Sequence, residues 1–343
     1  MPEINYAEFN ALFRHNDSVG KWTSTKQILD QAINCFETLP DGRTLAVGGA
    51  DGDLIIIHAN GSEYVRTNSQ RQFRTKISDI GVNPTGDLIA TCSNAPCVSL
   101  TSYCADSHKI DSKAVKIKMN DPVRAVRFVE DYFNRSSLLI SAAGRRICIT
   151  DCSSGTTFKD FLGHTGTVTG LCLWGGCMFA SSSTDKTVRI WDMRVADSVQ
   201  VFDPLLKPAA IGSSTFQVDS SGRLLFRGDG SGTIYAHDIT SGRKISAKKV
   251  LNKGITHLQM SKSKRFLLAE DQSMIKLCDY TDVCSIPTPA FITNLESKLN
   301  TIRWHMRLPK FITLDTESTF RIWELQSGAT DNPDTDESLQ NNG

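Results

Sequence analysis

Long apolar runs are missing from this chain: none of its 343 residues falls in a stretch of eighteen consecutive apolar positions, the length a membrane-crossing helix needs. The start, Met1-Pro2-Glu3-Ile4-Asn5, is polar where a secretory leader would be apolar. Charge of one sign is missing too. With 38 Lys and Arg against 37 Asp and Glu, the net charge is +1, so no whole-molecule field draws the chain to nucleic acid or an anionic membrane. The ten cysteines contain no C-x-x-C pair, and no histidine stands at ligand spacing from a cysteine or another histidine, which argues against zinc. Together these absences lead to the expectation of a soluble, cytoplasmic protein with reduced thiols and no cofactor.

What is present is repetition. The stretch Gly163 to Arg194 opens with Gly163-His164 and closes with Trp191-Asp192 after the alternating run Thr187-Val188-Arg189-Ile190-Trp191, the pattern of one four-stranded propeller blade. Similar runs end at residues 58, 102, 151, 238, 279 and 324, so that, with 192, successive ends are 41 to 49 residues apart. Upstream of each lies a second strand-like segment, often behind a turn such as Leu39-Pro40-Asp41-Gly42, Asn83-Pro84-Thr85-Gly86 or Trp174-Gly175-Gly176. One blade cannot bury its own faces, and seven repeats stacked on one another can. The expected fold is therefore all-β, a seven-bladed β-propeller over residues 20–325. It is flanked by an N-terminal extension, 1–19, and a disordered acidic tail, 326–343. The last run, Phe320 to Glu324, is followed by no fourth strand, so the segment around Lys21-Trp22-Thr23-Ser24-Thr25 is expected to close the ring in the last blade.

His164, Ser181 and Asp185 carry the ingredients of acyl transfer. No G-x-S-x-G elbow surrounds Ser181, however, and mid-strand placement would hide a nucleophile. Hydrogen bonding offers the alternative: the Trp191 indole donates to Ser181, the Ser181 hydroxyl to His164, and His164 to Asp185, which satisfies every member of a buried chain. The stretch Gly228 to Gly232 lacks the Lys-Ser/Thr and helix of a phosphate loop and reads as a turn. The blade around Gly163 to Arg194 resembles the WD40 family, whose structural tetrad it matches at His164, Ser181, Asp185 and Trp191. Other blades depart from it: none opens with Gly-His, and His58, Ser102 and Glu324 replace the closing Asp. The blade around residues 92–104 is expected to be the least regular.

A more specific order of motifs runs from Leu138-Leu139-Ile140-Ser141-Ala142-Ala143-Gly144 through Thr150-Asp151-Cys152 and Gly163-His164-Thr165-Gly166 to Asp192-Met193-Arg194-Val195, and later to Arg303-Trp304-His305. It resembles the C-terminal propeller of the nemitin family, neuronal WD-repeat proteins associated with microtubule proteins. Full-length members carry N-terminal helical dimerisation modules, for which the residues before 20 are too few. The resemblance implies a non-catalytic, cytoskeletal scaffold whose partners are microtubule-associated or minus-end proteins, with no small-molecule substrate.

Binding is expected at the rim where the segments entering each blade meet the turns between second and third strands. Aligned on blade four, this rim holds Arg74, Lys76 and Asn94, Asn120, Thr165, Thr167 and Thr184, Asp271, and Lys298. Of these, Arg74, Lys76 and Lys298 can clamp an acidic or helical peptide. A competing surface is the outer edge near Lys248, Lys249 and Lys253, part of the cluster Arg243, Lys244, Lys248, Lys249, Lys253, Lys262, Lys264, Arg265 and Lys276, which also reads as solvated loop. The fold also serves as a substrate receptor of ubiquitin ligases or a subunit of chromatin and corepressor complexes, and Trp191-Asp192-Met193-Arg194 is an ending sometimes used for docking to ligase assemblies.

Overall fold

The computed structural model describes residues 22–61, 63–129, 138–209, 215–219, 221–261, 266–279, 289–305 and 310–325. The extension 1–19, the tail 326–343 and Lys262, Lys264 and Arg265 lie outside them. The described residues form twenty-nine strands and no helix, grouped in seven antiparallel sheets. The seven alternating runs are the third strands of these sheets: Asp53–Asn60, Cys97–Cys104, Arg146–Asp151, Val188–Asp192, Thr233–Asp238, Met274–Asp279 and Thr319–Leu325.

The first strand of each sheet touches the first strand of the next, and that of the seventh (Leu299–Trp304) touches that of the first (Ile33–Thr38). The sheets therefore make a closed ring, a seven-bladed β-propeller. Second strands are sandwiched between neighbouring blades, which is why Thr44–Gly49, Leu224–Gly228 and Phe266–Glu270 are buried at every position instead of alternating. Fourth strands form the perimeter. Blade five ends on Lys244–Lys249, whose exposed lysines blunt an edge that would otherwise pair with another chain. The turn glycines Gly42 and Gly86 have φ of 69° and 79°, a region other residues enter only with strain.

Closure is made by Trp22–Ile28, antiparallel to Thr319–Leu325 from Trp22 opposite Leu325 to Ile28 opposite Thr319. Its Gln27 also latches onto blade one: the side chain donates to the Tyr64 carbonyl and accepts from the Tyr64 amide at 2.9 Å. In the blade around 92–104, Leu88–Ser93 and Cys97–Cys104 pair without a register shift, as second and third strands do in all seven sheets. Its departure lies outside, where the fourth strand is split into Lys109–Ile110, on the end of the third strand, and Val115–Lys118, on its start.

Between blades the core is continuous. Phe161, Phe179 and Trp191 meet edge-on or stacked between blades three and four, with Phe179 and Trp191 fully buried. Burying one such side chain contributes about 1.5–3 kcal/mol relative to exposure, so each blade's stability depends on its neighbours.

A buried tetrad and a charged loop face

Blade four comprises Val168–Leu173, Met178–Ser183, Val188–Asp192 and Ser198–Phe202. His164 lies four residues ahead of its first strand, Ser181 on the second, Asp185 in the turn that follows, and Trp191 on the third. Trp191 Nε1 donates to Ser181 Oγ at 2.8 Å. Because that oxygen already accepts from the indole, its single hydrogen points to His164 Nε2, also at 2.8 Å. His164 Nδ1–H then donates to Asp185 Oδ2 at 2.8 Å. This proton order requires a neutral imidazole, and burial pushes the His164 pKa down in spite of the facing carboxylate. At Asp185 burial acts against ionisation, but the hydroxyl and amide of Thr187 and the imidazole outweigh it and hold the carboxyl far below its usual range.

Ser181 is 0% exposed and its oxygen is engaged on both sides, so hydroxyl, imidazole and carboxylate act here as a strut tying the entry segment to the second and third strands and the turn between them. Blade seven has a shorter version, with Trp323 Nε1 donating to Thr313 Oγ1 at 3.1 Å. Blade two substitutes an amide: the buried Gln72 accepts from the Ser99 hydroxyl and donates to Thr101 Oγ1 at 3.1 Å.

Two inner-ring ion pairs escape sequence reading. Arg127 Nη1 lies 2.6 Å from Asp79 Oδ2, and Arg303 Nε lies 2.9 Å from Glu37 Oε2, with Arg303 Nη2 at 3.9 Å from Asp79 Oδ1. The four residues sit on the first strands of blades three, two, seven and one. Burial disfavours the Glu37 anion, yet Arg303 and Arg127 more than offset it and lower its pKa. The charges compensate one another and join four consecutive blades.

The second-to-third turns and the segments entering first strands emerge at one end of the ring. Arg74, Lys76 and Lys298 are exposed there and form no ion pair among the described residues. Asn94, Asn120 and Thr165 are exposed as well, whereas Thr167 and Thr184 are half-buried and joined by a Thr184 amide to Thr167 carbonyl bond of 2.9 Å. Asp271 does not belong to this surface. It is 1% exposed, and its carboxylate accepts from the amides of Lys253, Ser273 and Met274, each at 3.1 Å, so it caps a turn instead of facing a partner. No group of three metal-ligating side chains occurs among the described residues.

The ring and the tetrad define a WD40-type propeller. The WD domain, G-beta repeat family matches residues 155–192, from the outer strand of blade three through the third strand of blade four. The chain is also similar to the WD repeat-containing protein pop1 of Schizosaccharomyces pombe, 32% identical over 82 residues. That alignment covers 24% of this chain and 10% of the relative's length.

Proposed function

We propose that this propeller is a non-catalytic scaffold that captures partner proteins on its loop face, in the cytoplasm and at the microtubule cytoskeleton. One observation carries the reading: Arg74 and Lys76 on blade two and Lys298 on blade seven flank blade one as exposed cations without an acidic partner among the described residues, while the reactive-looking side chains are locked inside blade four. Such cations suit an acidic or helical segment held by charge-assisted hydrogen bonds. The motif order from Leu138 to Val195, similar to the nemitin family, supports microtubule-associated and minus-end proteins as the partner class.

The test is co-sedimentation with microtubules, with and without cell extract. Pelleting that depends on extract is the expected result for an adaptor, and pelleting by the purified chain means tubulin is bound directly. Reversal of Arg74, Lys76 and Lys298 to Glu is expected to abolish pelleting and leave the melting temperature unchanged. Unaltered pelleting by this variant refutes the loop face as the docking surface. A second reading, a ubiquitin-ligase substrate receptor, is favoured by Arg194, which Asp192 holds at 2.7 Å while its side chain stays 73% exposed. Failure to pellet under either condition, together with capture of a ligase adaptor that Arg194→Ala abolishes, selects that reading.

A further inference from the structure

Blade five departs from blade four at the tetrad itself. Arg227 lies opposite Tyr235 as Ser181 lies opposite Arg189, and His237 lies opposite Leu225 as Trp191 lies opposite Phe179. An arginine thus occupies the place of the tetrad serine and a histidine the place of the tryptophan. Arg227 is 5% exposed. Its Nη2 donates to the Asp203 carbonyl at 2.8 Å, and no carboxylate among the described residues lies within ion-pair distance of its guanidinium. Burial lowers the Arg227 pKa to about 10, with Asp203 opposing only in part, the mark of a cation short of a counter-charge. The neighbouring His237 keeps Nδ1 buried without a hydrogen-bond partner.

Arg227 lines a cleft of about 570 Å³, solvent-open part included, between blades four and five. The opposite wall is the second-to-third turn of blade four, with Ser183, Thr184 and Lys186, and the segment entering blade five adds Leu205, Pro208 and Thr215. Ser183 accepts the Asp185 amide at 3.2 Å, which leaves its hydroxyl hydrogen free to donate. The cleft opens on the loop face.

We propose that this cleft is a phosphate-binding site, in which Arg227 takes two oxygens of the group and Lys186 supplies the second positive charge. A guanidinium fork matches two oxygens of such a group, and two cations match the charge of about −1.5 to −2 that a phosphomonoester carries near neutral pH. Carboxylates fit the fork but leave the lysine unused. The group arrives either as free phosphate or on a phosphorylated side chain of a partner. The site extends the reading of the loop face as a recognition surface, but it is tested without any partner protein, so the two can fail separately.

The purified chain is titrated at constant ionic strength with inorganic phosphate, phosphoserine or acetate, and the midpoint of thermal unfolding is followed. A saturable rise with phosphate and phosphoserine, and none with acetate, is expected. Tighter binding of phosphoserine identifies a side-chain source, and tighter binding of inorganic phosphate a free one. Arg227→Met is expected to abolish the response. Lys186→Asn, chosen because Asn tolerates the φ of 69° at that position, is expected to weaken apparent affinity by about tenfold, the factor for one lost charge-assisted bond. Asp203→Asn, which removes the competing carboxylate, is expected to tighten it. A phosphate response no larger than that of sodium chloride overturns the proposal, as does an affinity that neither Lys186→Asn nor Asp203→Asn alters. The latter two keep the test valid even if Arg227→Met does not fold.

Discussion

Ser181→Ala removes one oxygen from the interior of blade four and strands two nitrogens. In the intact protein the Ser181 hydroxyl accepts from Trp191 Nε1 and donates to His164 Nε2, both at 2.8 Å, in a site where Ser181 is 0% and Trp191 0% exposed. Alanine has nearly the same volume, so the cavity term is small. The loss is the desolvation of an indole N–H and an imidazole nitrogen left without partners, at about 1–3 kcal/mol each, or about 2–6 kcal/mol together. Thr313→Val in blade seven is the internal comparison. It removes the acceptor of Trp323 Nε1, bonded at 3.1 Å, and a longer bond of 3.4 Å to the Arg321 carbonyl, and is expected to cost about 1–3 kcal/mol. Urea unfolding followed by tryptophan fluorescence and by circular dichroism reads both variants, and coincident transitions justify comparing midpoints at unchanged slope. Ser181→Ala within about 0.5 kcal/mol of the parent, or no worse than Thr313→Val, refutes the strut. Labelling of Ser181 by a fluorophosphonate probe would restore the nucleophile reading.

Removal of residues 1–28 deletes the strand that pairs with Thr319–Leu325 and the Gln27 latch on Tyr64, leaving the third strand of blade seven as an open edge. A lower melting temperature and self-association by light scattering are expected, and an unchanged monomeric melt contradicts ring closure. Acid should destabilise the fold through its buried neutral histidines. The His237 pKa is lowered from 6.5 to about 4, first by burial and then by Arg227 and Lys244, so the unfolded chain binds its proton at higher pH than the folded one. Stability then falls as pH drops from about 6.5 to 4, by up to about 3 kcal/mol from this group, with His164 adding in the same direction. His237→Phe is expected to flatten the dependence of the urea midpoint on pH over that interval, and an unaltered slope removes His237 as a source.

What could be read from the sequence follows from distance along the chain. The third strands were recoverable because alternation, turn residues and spacing repeat within each unit, and the closing strand followed from counting strands in blade seven. The tetrad was equally accessible, since His164, Ser181, Asp185 and Trp191 fall inside one repeat. The inner-ring pairs were not: Arg303 and Glu37 are 266 residues apart and meet only because the ring closes. Asp271 misleads for another reason. A carboxylate at a turn reads as solvated until the three backbone amides folding over it are seen, and Asp229 and Asp315 cap their own turns in the same way.

Blade two and blade five show how much deviation a ring tolerates and what the deviations imply. Each blade draws stability from two neighbours, so loss of one internal hydrogen-bond chain is shared around the disc. Blade two replaces the tetrad with a fully bonded amide, a substitution that preserves folding and nothing more. Blade five instead buries an arginine that bonds a carbonyl but no carboxylate among the described residues, beside a histidine whose Nδ1 has no hydrogen-bond partner, a combination that opposes folding, since an interior charge without a close counter-ion is among the least favourable features a core can hold. Where local rules are broken and no counter-charge offsets the cost, function is the better explanation. The breach lies under the loop face, beside a cleft, and leaves a positive charge facing it, which is the physical ground for assigning recognition to this repeat.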